Sequence, residues 1–246
     1  MKTYKYLNFI LIICSVVFFG CDDNLDIEPE QSLTPGAALG SSENIQNILV
    51  GAYDLAGQNE LFSGSYNLAS ELIANDGELA WRGTFQGPAE FNRKEITIGN
   101  GFVRDFWVFS YAASNQVNLV LANTDIIEEE DVATRVEGEA KFIRAAIYFD
   151  LARFFSLPYE AGSQNSQLGV PIITEPVSDA SQITFPSRNT LEEVYTFILS
   201  DLTDAVALLP ETNDIFADKY AAQALLARVY LQMGNYTGAR DAADAV

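Results

Sequence analysis

Residues 62–93 bring together aromatic rings with guanidinium, amide and carboxylate groups. A sugar ring has an apolar C–H face and a rim of hydroxyl groups, so proteins bind it with aromatic faces and planar guanidinium, amide or carboxylate groups. Trp81 and Arg82 are adjacent in a glycine-bounded stretch and are the strongest pair of candidate ligand contacts. The candidate ligand-binding residues are Tyr66, Asn75, Asp76, Trp81 and Arg82, with Phe62, Phe85 and Gln86 in the same stretch. Alternatively, Trp81 packs the loop onto a core and binds nothing.

The composition of the 246-residue chain excludes several kinds of site. There is no histidine, which removes Ser-His-Asp and Cys-His nucleophiles, HExxH zinc sites and histidine general bases. Cys14 and Cys21 are too few for a thiolate zinc site or an iron–sulfur cluster. The formal net charge of -20 opposes nucleic-acid binding, because phosphates are neutralised by clustered cations. We therefore expect no metal, no cofactor and no nucleic-acid partner.

The first 20 residues are typical of an export signal. Two lysines precede an apolar run from Leu7 to Phe19, which is too short to cross a hydrocarbon core of about 30 Å. The run ends in Phe18-Phe19-Gly20-Cys21, which resembles the lipobox of bacterial lipoproteins. That resemblance implies that Cys21 carries diacylglycerol and begins the mature protein. The alternative is an ordinary secreted protein, but no later cysteine offers Cys21 a disulfide partner.

The mature chain divides into an acidic tether over 21–40 and a helical domain over 41–246. Residues 22–30 carry five acids and no base, and prolines and glycines punctuate the stretch up to residue 40. An acidic stretch directly after the lipidated cysteine is similar to the export signals that send some lipoproteins to the outer face of the outer membrane. We therefore expect a lipid-anchored, surface-exposed outer-membrane protein.

Apolar residues at three-and-four spacing predict a mainly helical domain. The predicted helices cover 41–56, 103–121, 129–155, 190–209 and 216–233. Residues 57–101 and 157–188 are predicted to be long irregular loops, the second with a β-like run at Val170 to Thr174. Trp107 is expected in the core, and Asp201 and Asp204 are expected on a solvated helix face.

The end of the chain indicates a helical repeat. The spacing Ala227-x2-Tyr230-x3-Gly234-x-Tyr236-x2-Ala239 resembles a tetratricopeptide repeat, in which small residues let two antiparallel helices approach closely. One such unit cannot bury its faces alone, and the chain stops at Val246 inside an amphipathic helix, so we expect a longer protein. The predicted fold class is all-α, a tetratricopeptide-like helical repeat scaffold with long irregular loops.

Several sequence segments along the chain, taken together, are similar to one protein family. They are Trp107-x3-Tyr111-x3-Asn115-x2-Asn118, Gly138-Glu-Ala-Lys-Phe-Ile-Arg-Ala-Ala-Ile-Tyr-Phe-Asp-Leu, Leu168-Gly-Val-Pro-Ile, Leu208-Leu209-Pro210 and Ala221-Ala-Gln-Ala-Leu-Leu-Ala-Arg-Val-Tyr-Leu. In this order they resemble the SusD/RagB family of outer-membrane nutrient-binding lipoproteins. The resemblance covers roughly residues 21–246, which would be the N-terminal part of a longer member.

This resemblance implies a binding protein rather than an enzyme. Members sit on the cell surface, capture glycans or other oligomeric nutrients, and hand them to a partner TonB-dependent transporter of the SusC type. The alternative is a tetratricopeptide-like lipoprotein that docks or assembles other proteins, although simple repeat arrays keep their loops short. A third class, a carboxylate-dependent glycoside hydrolase, lacks an evident cleft motif.

Overall fold

A computed structural model describes residues 39–246, which form eight α-helices and no β-strand. The helices are α1 (Ser42–Ala56), α2 (Ser65–Ala74), α3 (Gln86–Arg93), α4 (Gly101–Leu121), α5 (Glu130–Phe155), α6 (Leu191–Leu208), α7 (Lys219–Gln232) and α8 (Tyr236–Asp244). The predicted all-α fold class is confirmed. Within residues 39–246, every helix is too short or too polar to span a membrane. Cys21 and nearly all of the predicted tether lie outside the described residues.

The five helices predicted from spacing are all present, but the prediction of one long loop over 57–101 was wrong. Helices α2 and α3 lie within it. Both are short, and Gly87 and Pro88 occupy the first turn of α3. Proline is tolerated there because the first backbone N–H groups of a helix have no intrahelical partner. Glycine and proline at these positions suggested a loop, but they are compatible with the first turn of a helix.

The β-like run predicted at Val170 to Thr174 is not a strand. Residues 170–174 have no regular secondary structure, and the neighbouring Leu168 forms a single antiparallel bridge with Thr190. The N–H of Gly169 donates to the carbonyl of Asn189 at 2.7 Å, and the N–H of Asn189 donates to the carbonyl of Val170 at 3.2 Å. We call residues 168–177 the strap.

Helix α5 is the centre of the domain. It packs against α1, α4, α6 and α7, and its fully buried side chains include Val136, Ile147 and Leu151. Consecutive helices from α4 to α8 also pack on one another, as in tetratricopeptide-like arrays. The predicted pairing of α7 with α8 is present, and Gly234 makes the turn between them with φ of 73°.

A buried ion pair joins α5 to α6. Nε and Nη2 of Arg144 donate to the two carboxylate oxygens of Asp201 at 2.8 and 2.9 Å, and only 8% of Arg144 and 3% of Asp201 is exposed. Burial raises the pKa of Asp201, and the Arg144 guanidinium opposes that rise. The expectation that Asp201 faces solvent was wrong, whereas Asp204, one turn away, is half exposed and pairs with Lys141.

Substitution of Asp201 is expected to destabilise the domain much more than substitution of Asp204. Asp201→Ala leaves the buried Arg144 charge unpaired, which typically costs about 3–5 kcal/mol. Asp204→Ala removes a half-exposed pair on the same helix, and such pairs contribute about 0–1 kcal/mol. Urea unfolding followed by circular dichroism measures both changes. Equal losses of stability would show that the buried Arg144–Asp201 pair contributes no more than the half-exposed Asp204 pair.

Candidate functional site

The loop of residues 75–85, between α2 and α3, is shaped by one amide. Oδ1 of Asn75 accepts hydrogen bonds from the backbone N–H groups of Gly77 at 3.1 Å and Leu79 at 2.7 Å. Its Nδ2 donates to the carbonyl of Leu79. Both ends of the Asn75 amide are therefore used to fold the loop back on itself, while the neighbouring Asp76 is exposed.

Trp81 and Arg82 differ in their surroundings. The backbone N–H of Trp81 donates to Oδ1 of Asn92 at 3.0 Å, and its partly buried ring packs against the core. The indole Nε1 is buried without an acceptor among the described residues. A side chain at Gly83 would collide with the indole ring, so the chain folds closely over it. Arg82 is exposed and forms no ion pair within the described part of the chain.

Tyr66 does not lie in this loop. It is 3% exposed, its hydroxyl is 2.5 Å from Oγ of Ser110, and its ring stacks on Phe154 with centroids 5.1 Å apart. Burial raises the pKa of Tyr66. The structure therefore groups Asn75, Asp76, Trp81 and Arg82 in one loop and places Tyr66 in the core, where it joins α2 to α4.

The most exposed aromatic ring of the loop is Phe85, of which 72% is exposed. Phe85 lies in the stretch predicted to bind a ligand, although Trp81 was singled out there because it adjoins Arg82 between glycines. Phe85 immediately precedes α3, and its carbonyl accepts from the N–H of Ala89 at 3.4 Å. Its position at the start of a helix holds the backbone while the ring projects into solvent.

Glu90 on α3 braces the chain that follows the helix. Its carboxylate accepts from the backbone N–H and the hydroxyl of Thr97, each at 3.0 Å, and from the amides of Asn100 at 2.8 Å and Gln86 at 2.9 Å. These donors, led by the Thr97 N–H, lower the pKa of Glu90 to about 2. Asn100 in turn caps α4, so Glu90 connects α3, residues 94–100 and α4.

The strap is fixed by side chains of α4. The hydroxyl of Tyr111 donates to the carbonyl of Pro171, and Nδ2 of Asn118 donates to the carbonyl of Ile173, both at 2.8 Å. Asn115 makes two bonds with the backbone of Val177, donating to its carbonyl and accepting from its N–H, again at 2.8 Å. The spacing Tyr-x3-Asn-x2-Asn places these three residues on one face of the helix, but their contacts with the strap could not be predicted from that spacing.

Comparison with known proteins identifies this scaffold. A family model described as "Starch-binding associating with outer membrane" matches residues 23–231.

The chain belongs to the SusD-like family.

The SusD-like relatives are about twice as long as this chain. SusD-like protein P2 of Formosa agariphila is 30% identical over 249 residues, which cover 100% of this chain and 46% of that protein. The starch-binding protein SusD of Bacteroides thetaiotaomicron is 28% identical over 271 residues, 100% of this chain and 45% of SusD. A crystal structure of a SusD superfamily protein from B. thetaiotaomicron matches with a TM-score of 0.70 and 28% identity, over 83% of this chain and 45% of that one. The chain thus spans about half the length of these relatives.

The low pKa of Glu90 predicts a pH-dependent stabilisation of this SusD-like chain. Because the folded-state pKa of about 2 lies below the ordinary value of 4.5, the stabilisation is complete above pH 4.5 and is lost as the pH falls towards 2. Glu90→Gln is therefore expected to unfold at lower urea than wild type at pH 7, with a gap that closes between pH 4.5 and 2.

Glu95→Gln is the matched control, because Glu95 is 75% exposed and pairs only loosely with Arg93 at 3.6 Å. Its urea midpoint should follow wild type at every pH. A gap between Glu90→Gln and wild type that persists unchanged at pH 2 would contradict the assignment.

Proposed function

We propose that this chain is the N-terminal part of a cell-surface lipoprotein that binds glycan or another oligomeric nutrient without cleaving it. It delivers that ligand to a partner TonB-dependent SusC-type transporter. The observation that carries the proposal is the loop of residues 75–85, an exposed loop held in one shape on a SusD-like scaffold. The starch binding of the relative SusD supports a glycan ligand, and the family description supports the outer membrane.

The loop supplies both kinds of contact that a glycan needs. The ring of Phe85 is available to stack on the C–H face of a sugar, with the partly exposed edge of Trp81 in the same loop. The guanidinium of Arg82 and the carboxylate of Asp76 are exposed and suit the hydroxyl rim as donor and acceptor. Asn75 uses its amide oxygen and one of its two N–H donors within the loop, so its main part in the proposed site is to shape the loop.

Loss of the exposed ring is expected to weaken glycan binding without affecting folding. Phe85→Ala should reduce affinity for a gluco-oligosaccharide such as maltoheptaose by about 1–3 kcal/mol, the range of base–aromatic stacking. That is roughly tenfold to a hundredfold in Kd. Its Tm should stay at the wild-type value, because an exposed ring contributes little to the core. Isothermal titration calorimetry and thermal unfolding of the same preparation measure both quantities.

Trp81→Ala is the companion variant. It is expected to lower both the glycan affinity and the Tm, since the Trp81 ring packs against the core. Phe185→Ala is the control, because Phe185 is 95% exposed but lies in another loop. Unchanged affinity in both Phe85→Ala and Trp81→Ala would remove the loop from the proposed site. Release of reducing sugar during the titration would contradict binding without cleavage.

The segment of residues 157–188 is the proposed docking region for the transporter. It exposes Leu157 (69%), Leu168 (59%), Ile183 (53%) and Phe185 (95%). Large exposed apolar side chains are frequent at protein–protein contact surfaces. The backbone behind them is fixed by α4 through the strap, and Nε of Arg188 donates to the carbonyl of Gly169 at 2.5 Å. A partner would therefore meet a surface that is already ordered.

The proposed lipid anchor depends on Cys21. Cys21→Ala is expected to abolish labelling by radioactive palmitate and to release the protein from the membrane fraction, because the thiol is the attachment atom. Cys14→Ala, within the apolar run, should keep both. Wild-type protein solubilised in mild detergent should co-purify with a large β-barrel protein. Retention of the label in Cys21→Ala would contradict the anchor, and isolation of the wild type only as a free monomer would contradict the partner.

A further inference from the structure

A groove of about 660 Å³ lies between α2, α5 and α7, formed by residues outside the loop of residues 75–85. Its volume is within the range of small-ligand sites, about 300–1,000 Å³. The floor is buried and apolar, and three partly exposed phenyl rings line its walls. These rings are Phe62, Phe142 and Phe154. A smaller cavity of about 290 Å³ shares Phe149, Arg153 and Arg228 with the groove and extends it along α7.

Two acidic and two basic side chains line the groove. The carboxylate of Asp150, a residue only 9% exposed, accepts from Nη1 of Arg153 at 2.7 Å. The Arg228 guanidinium is 5.9 Å from the centroid of the Phe149 ring. Burial raises the pKa of Asp150, and the charges of Arg153 and Arg228 oppose that rise. Glu71 is exposed at the rim of the groove. The lining therefore holds two acids and two bases, in a chain of net charge -20.

The groove offers both hydrogen-bond donors and hydrogen-bond acceptors to a ligand. The Arg228 guanidinium offers five N–H donors, while Glu71 and the second oxygen of Asp150 offer acceptors. A hydroxyl group both donates and accepts, so adjacent hydroxyls match such a mixed set. An anionic ligand would meet Asp150 and Glu71, and a cationic ligand would meet Arg153 and Arg228. The balance of charge therefore favours a neutral polyhydroxyl ligand with an apolar face.

We propose that this groove is a second saccharide site, which binds a neutral oligosaccharide along α7 with Arg228 and Asp150 on its hydroxyls and the phenyl rings against its C–H faces. The proposal relies on the proposed function only for the class of ligand. The groove is separate from the loop of residues 75–85, because its residues lie on α2, α5 and α7 and in the turn just before α2.

Titration calorimetry of the folded protein with maltoheptaose and with a linear β-linked gluco-oligosaccharide tests the groove. Phe85→Ala is the background, since it removes the exposed ring of the loop. In that background, Arg228→Ala is expected to weaken the remaining binding at least tenfold. Arg240→Ala is the matched control, because Arg240 is exposed and pairs with its neighbour Asp241 at 2.5 Å. Circular dichroism establishes that each variant is folded.

The outcomes separate the two sites. Residual binding that Arg228→Ala removes and Arg240→Ala preserves supports the groove. Equal binding by the Arg228→Ala and Arg240→Ala variants, or no binding left in the Phe85→Ala background, overturns it while the loop site stands. If neither Phe85→Ala nor Trp81→Ala changes the affinity and Arg228→Ala alone abolishes binding, the loop site fails and the groove stands. Tighter binding of an oligoglucuronate than of either neutral probe overturns the assignment of a neutral ligand.

Discussion

The arrangement of the central helices depends on one buried cation. A guanidinium keeps its charge at every relevant pH, so a buried arginine requires acceptors for its N–H groups. Arg144 finds two in the carboxylate of Asp201 on α6 and a third in Oδ1 of Asn118 on α4, at 2.9 Å. Its guanidinium carbon is also 4.9 Å from the centroid of the Phe197 ring. Because the bonds are directional, they set the register of α5 against both neighbouring helices, which apolar packing alone specifies less sharply.

The same network continues to the surface. Asn118 accepts from Arg144 with its oxygen and donates to the strap with its nitrogen, so the buried pair and the strap share one amide. Tyr148 adds a second connection, since its hydroxyl accepts from the N–H of Ile173 at 2.8 Å. A segment without neighbouring strands must satisfy its backbone groups elsewhere. Here Asn189 and side chains of two helices do so, which explains how a long proline-containing connection keeps a defined path.

The loop of residues 75–85 is stabilised by a different means. Apart from the Trp81 ring, which packs against the core, its shape comes from hydrogen bonds to Asn75 and Asn92. Nearby, Glu90 braces the segment from α3 to α4 in the same way. Exposed side chains such as Phe85 can then project from an ordered backbone. Positioning by a rigid scaffold is the usual arrangement for binding residues in loops, and it reduces the entropy lost when a ligand binds.

Much of the fold could be predicted from the sequence. The spacing of apolar residues by three and four predicted the five long helices. This signal is local, because the residues of one helix that face the core recur at that spacing. The tetratricopeptide-like end of the chain followed from small and aromatic residues at fixed positions. The loop carrying Trp81 and Arg82 was also identified from its residue types. Helices α2 and α3, on either side of this loop, were missed. They are short and supply too few turns for a periodic signal.

The sequence by itself thus determined the helical class, the long helices and the stretch that holds the candidate loop. Asp201 follows Ile198 by three residues and precedes Ala205 by four, so its buried position could have been inferred from the same spacing. The choice of Arg144 as its partner could not, because it depends on the register of α5 against α6. The burial of Tyr66, the exposure of Phe85 and the path of the strap were likewise decided only by the tertiary structure. In each case contacts between residues distant in the chain decide the outcome, and local periodicity carries no information about them.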